Sequence, residues 1–391
     1  MNVASSLRTH RLLMRLAFSA ANAFVWIFVF QYFLSFNSAH MALARTALLY
    51  VLAYLVSFLV TPYAARRLRH GMKRGIVYGA LAACAAFVSL GISFQGFFGY
   101  QYLYYGVLAF AIFLGVYRAL YWVPYSVESH ATHTRTRMSS FVEICVALMP
   151  AVAGIALTGQ WFAPPVLLFL AGLCVALSLI PLARVSDVYE KFSWKYRETF
   201  AQLFASAHRA QLGRAFFDGI QSAVLFFLWP IAIFLLVGSS YMLVGLLLST
   251  TFLLAFALRD SIRGLIRALG IRDVSLLYAT VAFSAWVGRV FVATPFSIVL
   301  VDTYFHTGTA GREGMDMTTL EQLADGGSFV DERTALKEMG LAIGRITVCI
   351  IAAGVSVASS ISLAFLVSFL IAGIAAAFSM WIAHTAMIRK V

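Results

Sequence analysis

Long apolar runs, broken by short polar or turn-forming clusters, dominate the chain. Marking them gives twelve candidate spans, at 14–36, 42–64, 75–95, 99–122, 139–158 and 163–183, then 214–237, 241–258, 273–287, 290–306, 338–356 and 361–386. A helix needs roughly 20 residues to cross the hydrocarbon layer of a bilayer, and most of these runs suffice. Backbone polar groups have no water to bond in that layer, so each run reads as a helix whose hydrogen bonds close within the segment. The shortest pair shares 273–306, and the interruption at Val287-Gly288-Arg289 predicts its turn. The expectation is an all-α polytopic membrane protein with twelve transmembrane helices in two pseudo-symmetric six-helix halves. The halves are expected at 1–186 and 213–391, joined by a connection at 187–212.

Composition agrees: 62% of the 391 residues are apolar and only 12% charged, with a mean hydropathy of +0.87. A soluble enzyme, a DNA-binding domain, a disordered tail and a collagen are all excluded by such numbers. Arg8, Arg11 and Arg15 precede an apolar run, and Ala42-Leu43-Ala44 has the form of a signal-cleavage site. The run at 16–36 exceeds the roughly 7–15 residues of a signal-peptide core, so it reads as the first span. Four cysteines, Cys84, Cys145, Cys174 and Cys349, lie singly inside apolar runs and offer neither disulfide nor zinc spacing.

The net charge of +13 would suggest a nucleic-acid partner in a soluble chain. Its distribution points elsewhere. With the N-terminus on one side, 26 of the 29 lysines and arginines fall on that same side of a twelve-span layout. Arg45 and Arg289 fall near the opposite surface, and Arg345 falls within a span. Retention of cationic loops then places both termini in the cytoplasm, for a plasma or bacterial inner membrane. No nucleic-acid partner is expected. In the connection, Tyr189, Phe192, Tyr196, Phe200 and Leu203 recur on one helical face, opposite Glu190, Lys191, Lys195, Arg197 and Glu198. That periodicity predicts an amphipathic helix lying along the headgroups.

Motifs for soluble-enzyme chemistry are missing, including the phosphate loop of an ATP-driven pump, the zinc helix and the nucleophile elbow. No enzymatic activity, cofactor or metal is expected. His130 and His133 have an H-x-x-H spacing but no carboxylate or cysteine partner. Ionisable groups inside spans are costly and mark function by default. Those groups are Glu143, Asp218, Asp302 and Arg345. Glu143 shares a helical face with Ala147, Ala151, Gly154 and Thr158, a small-residue stripe suited to close helix approach. Asp218 shares one with Gln221 and Ser222, and Asn22 with Ser19 and Trp26. Glu143 and Asp218 are candidates for proton coupling or for a buried ion pair, for example with Arg345. Tyr102, Tyr104 and Tyr105, and Tyr117, Tyr121, Trp122 and Tyr125, are expected to form interfacial aromatic belts rather than a substrate box.

In layout the whole chain resembles the major facilitator superfamily. The loop signature after the second span, roughly G-x-L-x-D-R-x-G-R-R, is similar to Thr-Pro-Tyr-Ala-Ala-Arg66-Arg-Leu-Arg69-His-Gly71-Met-Lys73-Arg74, which keeps the basic residues and a glycine but lacks the Asp. The corresponding loop of the second half reads Ala-Leu-Arg259-Asp260-Ser-Ile-Arg263-Gly264. Met149-Pro150-Ala-Val-Ala153-Gly154 looks like a worn antiporter signature, G-P-x-x-G-G. Tyr121-Trp-Val-Pro124-Tyr125 is similar to the end of the fourth helix in some members. The resemblance implies that spans 1, 4, 7 and 10 line a substrate path, placing Asn22, Trp26, Asp218, Gln221 and Asp302 there. It implies that spans 3, 6, 9 and 12 face lipid, and that Arg66, Arg69, Lys73 and Arg74 belong to a gating loop. The expected activity is secondary active transport of a small molecule by a monomer in lipid, coupled to protons or another ion. The alternatives are an inner-leaflet enzyme or lipid-handling protein using the acidic segment 312–338, and a sensor that binds ligand without moving it.

Overall fold

The structure is a computed structural model. It describes residues 3–95, 103–131, 140–159, 163–185, 187, 189, 192–269, 274–309 and 330–388. The first half contains α1 (Val3–Leu34), α2 (Ala39–Arg67), α3 (Met72–Phe94), α4 (Leu103–Ala131), α5 (Ser140–Ala156) and α6 (Pro164–Leu182). A short α7 (Tyr196–Gln202) follows. The seventh span is composite: α8 (Arg209–Ala223) runs through a π-helical turn (Val224–Leu228) into α9 (Trp229–Leu236). Then come α10 (Tyr241–Ala268), α11 (Val274–Val290), α12 (Pro295–Gly308), α13 (Val330–Ala358) and α14 (Ile361–Ile388).

Among the described residues nine helices are long and apolar enough to cross a bilayer, and α5, α11 and α12 complete the twelve as shorter segments. The protein is an integral, multi-pass membrane protein. Most predicted runs are extended by the structure. The second turns out longest at its polar end, and α13 starts at Val330 rather than 338, drawing Asp331, Glu332 and Glu338 out of the expected acidic loop and into a helix. The remainder of that loop, with Arg312 and Gly326-Gly327, lies outside the described residues, as do Tyr102 and His133 and the side chain of His130.

Local chemistry sets the breaks. The turn between α11 and α12 falls at 291–294, later than expected, because Thr294 caps α12 through Ser297 and Pro295 supplies a ready first-turn residue. Arg289 consequently stays inside α11. The π-turn lies just before Pro230, which has no N–H and crowds the carbonyl four residues back, that of Phe226. In α5, Pro150 leaves the Val146 carbonyl without a helical donor, and the Ser19 hydroxyl of α1 donates to it at 2.7 Å. On the next residue, the Ala151 N–H donates to Ser249 Oγ of α10 at 2.9 Å. One proline thus ties three helices together.

Among the described residues the connection is helical over less than its periodicity predicts: Phe192–Lys195 are not helical, and helix is found in α7 and a 3₁₀ turn at Ser206–His208, while Glu190 and Lys191 lie outside the described residues. Tertiary contacts take the place of helical ones. Arg69 donates to the Phe192 carbonyl, and Glu332 accepts from Ser193.

The signature-like loop between α2 and α3 is closed from a distance. Gly71 adopts φ +107°, and a Cβ there would lie 2.2 Å from the Asp187 carboxylate. Asp187 Oδ1 accepts from the Lys73 N–H at 3.0 Å, and Lys73 Nζ donates to the Ala183 and Val185 carbonyls at 2.6 and 3.0 Å. The loop's missing Asp is thus matched by a carboxylate from the connection, set against the N-terminus of α3. Asp187→Ala is expected to cost about 1 kcal/mol, the usual loss for a removed helix cap, and to speed amide exchange at Lys73. Hydrogen exchange checks this, and unchanged protection at Lys73 would count against it.

Candidate substrate cavity

A cavity of about 720 Å³ lies between the halves. Its wall draws on α1, α2, α4 and α5 from one side and on the π-turn, α10 and α12 from the other. Among the described residues α3, α6, α11, α13 and α14 contribute no lining residue. Four of these five, all but α13, are the spans that the resemblance assigns to lipid.

The arginine-rich connections define one end of the bundle, called here the basic end; the turns at 35–38 and 237–240 lie at the other. At that other end the halves are sealed. Tyr241 of α10 donates to Gln31 Oε1 of α1 and packs against Phe24, Phe28 and Phe234 at centroid distances of 6.1, 5.5 and 5.3 Å. Ser356 of α13 donates to the His40 carbonyl at 2.8 Å. Two backbones also meet there. A Cβ on Gly154 of α5 would lie 2.5 Å from the Tyr241 carbonyl, and one on Gly245 of α10 would lie 2.2 Å from the Pro150 carbonyl. The small-residue stripe beside Glu143 therefore packs on the opposite half. Toward the basic end the cavity reaches the surface, where the Arg15, Glu143 and Arg259 side chains retain 36, 28 and 33% exposure.

Glu143 stands at this mouth between two guanidiniums, Arg15 of α1 and Arg259 of α10, each at 3.8 Å. Its partners are these rather than Arg345. The contact with Arg259 crosses from one half to the other. Arg345 of α13 is buried elsewhere; its Nε donates to Ser222 Oγ at 2.8 Å and its guanidinium covers the Tyr54 ring at 4.7 Å.

The candidates for the substrate path divide. Asn22 and Trp26 border the cavity. Asp218, Gln221 and Asp302 do not. Asp218 accepts from Ser379 on α14, so its face of α8 is turned toward a peripheral helix. Gln221 is buried at 4% exposure. Asp302 is the centre of a second polar cluster: Oδ2 accepts from Trp229 Nε1 at 2.8 Å, and Oδ1 accepts from Arg289 Nε and Nη2 at 3.1 and 2.7 Å. Arg289, expected near the surface, has no exposed side chain and lies against the Trp286 and Phe305 rings at 4.2 and 4.7 Å. A helix boundary four residues later than predicted accounts for the difference. Among the gating-loop candidates, Arg69 and Lys73 hold the connection, while Arg66 and Arg74 are exposed.

The aromatic belt requires a correction on one side. Tyr104 and Tyr105 are exposed, as a belt demands, but Tyr117, Tyr121 and Tyr125 are buried and line the cavity with Trp122. Their spacing of four residues makes one stripe of α4 and specifies nothing about what that stripe meets. His10 belongs to no sequence motif. Fully buried on α1, it shares hydrogen bonds with the Ser178 carbonyl at 2.8 Å and the Tyr121 hydroxyl at 3.2 Å, fixing the tyrosine stripe from behind. The signal was a polar residue among the arginines preceding the first run.

The described helices form a twelve-span bundle in two halves with a cavity between them. The structure is similar to that of a D-xylose-proton symporter, with a TM-score of 0.65, 12% identity, and 97% of this chain and 96% of that one covered. It is similar to the nucleoside transporter NupG, with a TM-score of 0.61, 12% identity, and 100% and 99% covered. A peptide transporter, POT, in complex with sulfate gives 0.60, 14% identity, and 99% and 94% covered. No family model and no curated protein matches the sequence. The fold is accordingly that of the major facilitator superfamily, as its layout led one to expect.

Proposed function

We propose that the protein is a secondary active transporter, moving a small solute by rocking of its two halves around the central cavity and coupled to protons. One observation carries the reading: the cavity is lined by both halves, sealed at one end of the bundle and open at the basic end. A site built this way is exposed to opposite sides in turn when the halves tilt. The cationic end lies in the cytoplasm by the positive-inside rule, with both termini there, in a plasma or bacterial inner membrane. The halves correspond to 1–186 and 213–391. In this reading the protein works as a monomer, and no enzymatic activity is assigned.

Glu143 is the proton carrier in this reading. As a carboxylate it draws Arg15 and Arg259 together across the open mouth. Protonation removes that attraction, and the Arg259 side chain is released with its half. Asp218 instead accepts from Ser379 of α14, away from the cavity wall. Gradient-driven uptake in proteoliposomes, screened over sugars, amino acids, nucleosides and organic acids at two pH values, tests the assignment. Glu143→Gln is expected to lower proton-driven flux about tenfold or more, in keeping with the 10²–10⁴-fold effects of positioned proton-transfer groups, while sparing counterflow exchange. Asp218→Asn is expected to keep most of both. Full proton-driven flux by Glu143→Gln would sink the carrier role, and no flux of any solute by the wild type would sink the transporter reading.

A further inference from the structure

The wall of the cavity is unbalanced in charge. Among the described residues four guanidiniums border it, those of Arg11, Arg15, Arg118 and Arg259, against the one carboxylate of Glu143. Glu143 already serves Arg15 and Arg259. Arg11 and Arg118 make no ion pair and no side-chain hydrogen bond among the described residues; each lies only over a ring, Arg11 5.7 Å from the Tyr125 centroid and Arg118 5.7 Å from that of Tyr54. Arg118 Nε is cut off from solvent without an acceptor. Glu338 of α13 lies within electrostatic range of Arg118 but forms no ion pair with it among the described residues.

A guanidinium far inside a membrane protein is costly without a counter-charge, and a ring face supplies only part of one. The missing partner is an oxyanion, since the planar fork of arginine matches the two oxygens of a carboxylate or phosphate. Depth adds a direction. Arg118 lies seven residues from Tyr125 along α4, about 10 Å farther from the mouth, so Arg11 stands at the entrance and Arg118 inside. Between them Tyr121 and Tyr125 stack in parallel, 5.4 Å apart at 10°, as an aromatic strip of the cavity wall.

We infer that the cavity takes an organic anion, a carboxylate or phosphate carried on a flat aromatic body, with Arg118 as its anchor and Arg11 as its outer guide. Calling this anion the transported solute rests on the function proposed above; the binding site itself does not. Trp26 and Trp122 border the cavity and report occupancy. The test is quenching of tryptophan fluorescence in phosphatidylcholine nanodiscs by para-nitrobenzoate and para-nitrophenyl phosphate, against para-nitrobenzamide and para-nitrobenzylamine. The two anions are expected to bind at least about tenfold more tightly than the amide or the amine. Arg118→Gln is expected to weaken the anions by about 10- to 100-fold, the range for a lost hydrogen bond to a charged group, and to leave the amide unchanged. Arg118→Lys, which keeps the charge and loses the fork, is expected to fall between them and serves where the glutamine variant does not fold.

Equal binding of amide or amine, wild-type anion affinity in both Arg118 variants, or no binding by any probe would each overturn the inference. Loss of the signal in phosphatidylglycerol nanodiscs would overturn it in favour of a lipid headgroup. Anion binding without flux in proteoliposomes would leave the site standing and remove the transport reading. Proton-driven flux of a neutral or cationic solute would do the reverse.

Discussion

Replacing Asp302 with alanine is expected to destabilise the folded protein by about 3–5 kcal/mol, the usual cost of removing one partner from a buried ion pair. The carboxylate is 3% exposed and Arg289 is not exposed at all, so neither solvent nor ions can take its place. Without it the guanidinium keeps its charge, loses two hydrogen bonds, and is left among the rings of Trp229, Trp286 and Phe305. Trp229 Nε1 loses its acceptor at the same time. Asp302→Asn is expected to do less harm, because an amide oxygen still accepts while the charge is lost. The double replacement Asp302→Leu with Arg289→Met is expected to recover most of the loss, since apolar residues of similar volume often substitute for such pairs at little cost. Chemical denaturation in detergent micelles measures all three. A single alanine variant within about 1 kcal/mol of wild type would show that the pair does not hold α11 and α12 to the seventh span.

Valine at Gly245 is expected to abolish transport and to lower stability by about 1–3 kcal/mol, as overpacking does. The atoms a Cβ would meet, the Pro150 carbonyl oxygen and carbon at 2.2 and 3.0 Å, belong to backbone, so no side chain can turn aside. Relief requires α5 and α10 to part, and these helices belong to opposite halves. Parting them strains the Ala151–Ser249 hydrogen bond and opens the seal above the cavity. Gly264 is the matched control. It lies on the same helix with nothing within 4 Å of its would-be Cβ, so Gly264→Val is expected to fold and transport nearly normally. Thermal unfolding and proteoliposome flux compare the two; normal flux by Gly245→Val would refute the seal.

Both experiments concern contacts that the sequence indicates only in part. Glycine and alanine spaced along one face of α5 predict close approach to some helix, and α10 proves to be that helix. The acid at 302 stands out as a charge in an apolar run, but the sequence does not reveal its partner, because the glycine and charge at 287–289 suggest a turn there whereas the capping pair Thr294 and Ser297 sets it at 291–294. Tyr117, Tyr121 and Tyr125 show the same limit. Their periodicity gives a shared face, and either lipid headgroups or an internal cavity accounts equally for aromatic residues near a helix end. In the connection the period of Tyr189, Phe192 and Tyr196 suggests a helix, whereas the carbonyl of Phe192 is engaged by Arg69 and Ser193 by Glu332, and Phe192–Lys195 are not helical.

What the sequence determined by itself was the bundle: twelve apolar runs, a division into six and six, and a basic end. Those properties follow from the bilayer, which demands that each segment satisfy its own backbone and penalises charge in proportion to depth, so they are written locally along the chain. The tertiary structure decided which charge meets which. Ion pairs, ring stacks and close glycine contacts depend on how each helix is rotated about its axis and on which neighbour it finds, and residues more than a hundred positions apart, such as Glu143 and Arg259, set that jointly. The cavity, with two arginines that make no ion pair among the described residues, belongs wholly to this second kind.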